Sequence, residues 1–183
     1  MAGRRPSSSP RLTEWCVITG APCSGKTAVV DELARRGLPV VAEAARAHID
    51  AEMKKGRSLD EIKSDPSRFE RRILRIKLDI EARLPAQERL FFDRALPDSI
   101  AYYRLEGLDP AKPLRHSRRV RYRRVFLFER IEFMKDSART EDAETAAHIE
   151  RLIEEAYTDL GYAIVRVPVM PVAERADFAL SHA

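Results

Sequence analysis

Gly20-Ala21-Pro22-Cys23-Ser24-Gly25-Lys26-Thr27 follows the apolar run 15–19 and opens a helical stretch over 28–36. It carries the required residue at every fixed place of the pattern G-x-x-x-x-G-K-[ST]. Glycines let successive backbone N–H groups turn inward around phosphate oxygens, and the N-terminus of the next helix adds partial positive charge. Lys26 is placed to reach the β- and γ-phosphates of a nucleotide, and Thr27 to ligate Mg²⁺ through its hydroxyl. The expected nucleotide contacts are Gly20, Ala21, Pro22, Cys23, Ser24, Gly25, Lys26, Thr27 and Ala28. Cys23 lies near a lysine and a helix start, where a thiolate is stabilised; it is either a reactive thiol or a small spacer.

Outward from this loop, short continuously apolar runs alternate with longer segments of helical period. The expected strands are 15–19, 39–42, 90–93, 125–128 and 163–167, each reading like a strand buried on both faces. Helices are expected over 67–84, with Ile73, Ile76 and Ile80 on one face, over 98–106, and over 149–160, which Gly161 ends. Such alternation predicts an α/β fold of three layers, a five-stranded, mostly parallel sheet covered on both sides, with ligands at the carboxyl ends of the strands. The 183 residues suffice for one domain. Residues 1–12, rich in Arg, Ser and Pro, are expected to form a flexible tail, and 13–183 a single domain with a lid-like segment near 131–143.

The charged residues that end these strands are the candidate chemistry. Asp93 closes the run 90–93 and is the candidate for holding the water shell of Mg²⁺. Arg94 follows it, and an Asp-Arg pair at this place either resembles nucleoside and nucleotide kinases, in which the arginine contacts the substrate or its phosphate, or caps the next helix. Glu43 ends the second strand, where it either receives the proton of an attacking hydroxyl or complements the dipole of the following helix. Arg46, one helical step on, would orient Glu43 or bind an acceptor anion. The polar stretch 134–142 is either a lid, with Lys135 and Arg139 closing over the nucleotide, or a solvated loop.

The phosphate loop, Val40-Val41-Ala42-Glu43-Ala44-Ala45-Arg46, Phe92-Asp93-Arg94-Ala95-Leu96-Pro97-Asp98, Ala101-Tyr102-Tyr103, Asp136 with Arg139 and Glu141, and Val167-Pro168-Val169 form an ordered set. It resembles the small P-loop ATPases labelled "AAA domain" that are similar to the kinase domain of nicotinamide-riboside kinases, over roughly residues 13–180. The resemblance implies a nucleoside-kinase-like P-loop NTPase that binds ATP and Mg²⁺. It carries Lys26 and Thr27 over as nucleotide and metal residues, then Asp93, then Glu43, Arg94, Asp98 and Arg139 as candidates. Tyr102 and Tyr103 either stack on an acceptor base, as in nucleoside kinases, or are half-buried helix aromatics. Ala95 stands where glycine is expected after the Asp-Arg pair, which would narrow the acceptor pocket. No helical domain of the kind appended to AAA+ remodelling motors is expected, so a motor of that kind is not inferred.

Composition excludes rivals. Asparagine is absent, so the Asn-Lys-x-Asp motif that reads guanine cannot occur, and the sole Gln87 does not follow Asp-x-x-Gly. Two cysteines and four histidines share no metal-ligand spacing. No apolar run approaches the ~20 residues that cross a bilayer, and no secretory stretch opens the chain, so a cytoplasmic location and no membrane partner are expected. Arg115, Arg118, Arg119, Arg121, Arg123 and Arg124 crowd ten residues, leaving open a solvated basic edge, a phosphate-bearing substrate or a nucleic acid. The expected activity is a Mg²⁺-dependent kinase passing the γ-phosphate of ATP to a hydroxyl of a nucleoside, riboside or nucleotide. The alternative is a slow ATPase that acts as a nucleotide-dependent regulatory or binding protein.

Overall fold

The computed structural model describes residues 9–131 and 140–183. Five strands, β2 (Cys16–Thr19), β3 (Val40–Val41), β4 (Phe91–Asp93), β6 (Arg124–Phe128) and β7 (Ile164–Val167), form one sheet in the order β3-β4-β2-β6-β7, every pair parallel. The strand before the glycine loop is central: Cys16, Val17 and Ile18 pair with Phe91, Phe92 and Asp93 on one side and with Arg124, Val125 and Phe126 on the other. The chain passes from β2 to β3 and β4 on one side and then crosses to β6 and β7 on the other, so the strand order switches at β2 and a crevice opens at its carboxyl end.

Eight helices surround the sheet among the described residues: α1 (Lys26–Arg35), α2 (Ala44–Met53), α3 (Leu59–Lys63), α4 (Pro66–Arg83), α5 (Asp98–Leu105), α6 (Ala111–Ser117), α7 (Thr140–Asp159) and α8 (Val172–Ser181). Strand alternation divides the core. Trp15, Val17, Phe92, Val125 and Leu127 pack with Ala101 of α5 and with Ile149, Ile153 and Tyr157 of α7. Cys16, Ile18, Phe91, Phe126 and Phe128 pack with Val29, Val30 and Leu33 of α1 and with Ala176 and Ala179 of α8. The all-apolar strands thus serve two layers of helices, which is the three-layer α/β fold the sequence pattern predicts. Cys16 is core, and burial pushes its thiol up to about 11. No helix among the described residues is long and apolar enough to cross a membrane.

Three local expectations change. The tail assigned to 1–12 lies mostly outside the described residues, but its end is ordered as β1 (Arg11–Leu12), which pairs in parallel with β5 (Val120–Arg121). Arg11 also donates to the carbonyls of Glu81 and Leu84. Helix α7 starts nine residues before the 149–160 stretch, because the polar, acidic segment at its front shows no apolar period. On α4, Ile73 is buried as expected, but Ile76 and Ile80 are only half-buried, and Glu70, Lys77 and Glu81 join Ile73 and Leu74 on the inner face. The lid expected near 131–143, with Lys135 and Arg139, lies outside the described residues except at its margins.

Candidate active site

The loop between β2 and α1 needs its glycines. Gly20 has φ 145°, and a Cβ there would lie 2.6 Å from the carbonyl oxygen of Phe128. Gly25, at φ 78°, turns the chain into α1. Cys23 is left-handed as well, at φ 62°, and its side chain is exposed. Behind the loop Arg175 of α8 is 2% exposed and donates to three backbone carbonyls: Ser24 in the loop, Glu129 (3.0 Å) after β6, and Pro168 (2.8 Å) after β7. Its guanidinium lies 5.1 Å from the centre of the Phe128 ring. Sequence reasoning missed this residue; its only signal was an arginine on the inner face of a short apolar helix.

Lys26 is buried and donates to Ala21 O at 2.7 Å and Ser24 Oγ at 3.1 Å, so its ammonium lies folded back across the loop. Burial lowers its pKa to about 8, Arg94 adding to the effect while Asp93, Glu43 and Asp98 oppose it. Thr27, the next residue, donates its hydroxyl to Asp93 Oδ2 at 2.9 Å. Burial, with Glu43 nearby, pushes the Asp93 carboxyl up, and its Oδ1 is buried with no hydrogen-bond partner among the described residues. A hydroxyl facing a carboxylate with one unspent oxygen is a hard-oxygen pair of the kind that suits Mg²⁺, an ion that keeps water and phosphate for its other positions. Among the described residues no group of three or more His, Cys, Asp or Glu could hold a metal by itself.

Arg94 organises the floor beside this pair. It is left-handed at φ 65°, and its N–H bonds Ile18 O at 3.0 Å, which turns the side chain across the strand ends. Its Nε lies 3.0 Å from Glu43 Oε1, an ion pair without hydrogen-bond alignment, and its Nη1 bonds Asp98 Oδ1 at 3.1 Å. The guanidinium sits 5.3 Å from the centre of the Tyr102 ring. Asp98, expected to meet the acceptor, is fully buried and saturated: Thr19 and Arg94 donate to Oδ1, the Ala95 N–H (2.9 Å) and Tyr157 hydroxyl (2.7 Å) to Oδ2. With four donors its carboxylate has no capacity left for a ligand, so it fixes Arg94 and the start of α5.

Beyond the loop opens a cavity of about 430 Å³, within the range of small-molecule sites. Pro22, Glu43, Arg94 and Tyr102 line it, as the sequence places them, together with Phe69, Glu70, Ile73 and Lys77 of α4, which it did not single out. The signal was present as charged residues at steps of seven and four on the apolar stripe of α4. Arg46 is exposed on α2 outside the cavity wall, and Tyr103 packs against Leu74 and Leu96 instead. Ala95 is buried behind the wall, its carbonyl accepting from Lys77 at 2.9 Å, so it does not narrow the cavity directly.

The arginine cluster lies at the opposite end of the sheet, around β5 and the start of β6. Arg121 bonds the carbonyls of Leu160 and Gly161, Arg124 that of His182, and Arg123 pairs with Glu14, while Arg115, Arg118 and Arg119 are exposed. It is therefore not part of the loop-side site.

A parallel sheet with a phosphate loop after its central strand, and a threonine-aspartate pair beside that loop, define a nucleotide-binding fold of the P-loop kinase kind. The chain belongs to the AAA domain family, whose model matches residues 15–175. No curated protein matches it. Among solved structures it is similar to a NadR protein in complex with NR, at TM-score 0.67 and 20% identity over 93% of this chain and 50% of that one. A deoxyadenosine kinase from M. mycoides aligns at TM-score 0.59 and 16% identity, over 91% of this chain and 96% of the other. A thymidylate kinase from Ehrlichia chaffeensis aligns at 0.64 and 12%, over 94% and 97%. The chain spans about half the length of the NadR chains it matches. At these identities the likeness is one of fold.

Proposed function

We propose that the protein is a Mg²⁺-dependent kinase that transfers the γ-phosphoryl group of ATP to a hydroxyl of a small acceptor, a nucleoside, riboside or nucleotide. The observation that carries this reading is the cavity: it adjoins the phosphate loop through Pro22 and shares Glu43 and Arg94 with the loop-side charges, which gives an acceptor its own room beside the phosphates. A slow ATPase needs only water there. Similarity of fold to NadR, of which one structure holds NAD and AMP-PNP, and to deoxyadenosine and thymidylate kinases supports the same class.

In this reading the loop 20–28 holds the phosphates, and Lys26 swings from Ala21 O to the β- and γ-oxygens. Thr27 and Asp93 would hold Mg²⁺, which would offset the charge of the phosphates. Glu43 receives the proton of the acceptor hydroxyl. Arg94 orients Glu43 and neutralises charge near the transferring group, and Tyr102 supplies a ring face to the acceptor. Arg139 remains a proposed lid residue on sequence grounds alone. Radiolabelled ATP with Mg²⁺ and a panel of nucleosides, ribosides and nucleotides tests the proposal. The expected result is a labelled acceptor, lost in Lys26→Ala and slowed about 10²- to 10⁴-fold in Glu43→Gln. Label released only to water, at a rate unchanged by Glu43→Gln, would overturn it in favour of the ATPase.

A further inference from the structure

Glu70 lies on α4 in the wall of the cavity, only 7% exposed, with no hydrogen-bond or ion-pair partner among the described residues. Buried carboxyls are ordinarily paired, because leaving one unpaired forfeits its hydration. Here burial pushes Glu70 up to about 7, with Glu106 adding to the rise and Lys77 opposing it. Lys77 is two turns further along the helix, about 10 Å along its axis, and donates a hydrogen bond to Ala95 O.

The other cation deep in the wall, Arg94, is paired with Glu43 and Asp98 and lies against the ring of Tyr102, although its Nε makes no aligned hydrogen bond. Lys63 stands exposed at the rim, 5.9 Å from the centre of the Phe69 ring. The side chain in this wall that the fold leaves without a partner is thus a carboxyl, which above about pH 7 is charged and accepts hydrogen bonds. The apolar part of the wall is Phe69, Ile73, Tyr102, Leu105 and Ile149.

We infer that Glu70 selects the acceptor by receiving a hydrogen bond from an amino group on a planar heterocycle, and that the cavity takes this acceptor without a phosphate of its own. The inference rests on the reading of the cavity as the acceptor site. Phe69 and Tyr102 both line the cavity and are aromatic partners for a planar ring, and an amino N–H satisfies the carboxylate that the fold leaves unpaired. A phosphate dianion would enter beside Glu43, Glu70 and Glu106, with Arg94 and Lys77 bonded within the wall and Lys63 exposed at the rim.

The test is equilibrium binding by calorimetry to the full chain with Mg²⁺ and AMP-PNP, using ligands that differ in the amino group alone: adenosine against purine riboside, and cytidine against its 4-deamino analogue. The expected result is that at least one amino-bearing nucleoside binds roughly 10- to 100-fold more tightly than its partner, the worth of a hydrogen bond to a charged group. In Glu70→Leu this ratio should fall to about threefold or less, while Glu70→Gln, whose amide oxygen still accepts, keeps part of it. A ratio near unity in the wild type, an unchanged ratio in Glu70→Leu, no binding of either amino nucleoside, or tighter binding of the 5′-monophosphates each overturns the inference. The wild-type ratio decides even where a variant fails to fold. Labelled product is followed separately: selective binding without phosphoryl transfer sinks the kinase and leaves the selection by Glu70 standing.

Discussion

Lys26 carries a charge that its surroundings resist. With the ammonium buried and satisfied only by Ala21 O and Ser24 Oγ, its pKa falls to about 8 from an ordinary 10.5. The sign follows: the charged form is penalised in the folded chain, so the deficit is full below about pH 8 and fades as pH rises towards 10.5. A bound triphosphate reverses this, because an opposite charge within a few ångströms favours the protonated amine. Binding of Mg²⁺–ATP at about pH 9 should therefore take up close to one proton through Lys26, and at about pH 6.5 none through that group. Calorimetry in buffers of different ionisation heat measures the number directly, and equal uptake at both values would show that Lys26 does not meet the phosphates. At this scale the sequence was most legible where a motif fixes the chemistry, as at Gly20, Lys26 and Thr27. It was least legible at Asp98, whose four donors come from Thr19, Arg94, Ala95 and Tyr157, residues that only the fold brings together.

Helix α4 shows how an element can be found and its face misassigned. Its span, Pro66–Arg83, lies within a residue of the periodicity at both ends, and Asp65 caps it by accepting from the Arg68 N–H at 2.9 Å. A periodic reading counts charged residues as solvent-facing, however, and on this helix three of them turn inward, of which Lys77 and Glu81 meet partners that are distant in the chain. Glu81 accepts from the Tyr122 hydroxyl at 2.9 Å and the Leu96 N–H at 3.2 Å, and burial pushes its carboxyl up to about 7. A carboxyl raised in the folded state gives a contribution to stability that is complete below its ordinary 4.5 and lost as pH rises through about 7. The expected loss is of the order of 3 kcal/mol across that window. Glu81→Gln keeps an oxygen for Leu96 and Tyr122 but does not titrate. Between pH 5 and 8 its melting temperature should fall less than that of the wild type, the two curves separating by several degrees, as scanning calorimetry would record. Parallel curves would mean that Glu81 stays ionised throughout.

At the scale of the whole molecule, the apolar runs place the five strands to within a residue or two at each end, and the loop motif places the carboxyl end of β2 at the centre of function. Strand order and the partners behind the loop leave no periodic mark, because they depend on contacts between segments far apart. Arg175 is the clearest case: 151 positions separate it from Ser24, and one guanidinium joins the phosphate loop to the ends of β6 and β7. By occupying the carbonyl of Ser24 it fastens the loop to α8, and its charge lies behind the loop that is proposed to hold the phosphates. Arg175→Met strips the donors from three carbonyls, each costing about 1–3 kcal/mol where it stays buried. Both the melting temperature and the affinity for Mg²⁺–ATP should fall, the affinity by about tenfold or more, and amide exchange at Ser24 and Gly25 should quicken before global unfolding. Arg175→Lys, which keeps the charge but not the three-way fork, should recover part of the affinity and little of the melting temperature. If Arg175→Met lowers the melting temperature while nucleotide affinity and exchange at the loop stay at wild-type values, the residue fastens α8 to the sheet and the loop holds its shape without it.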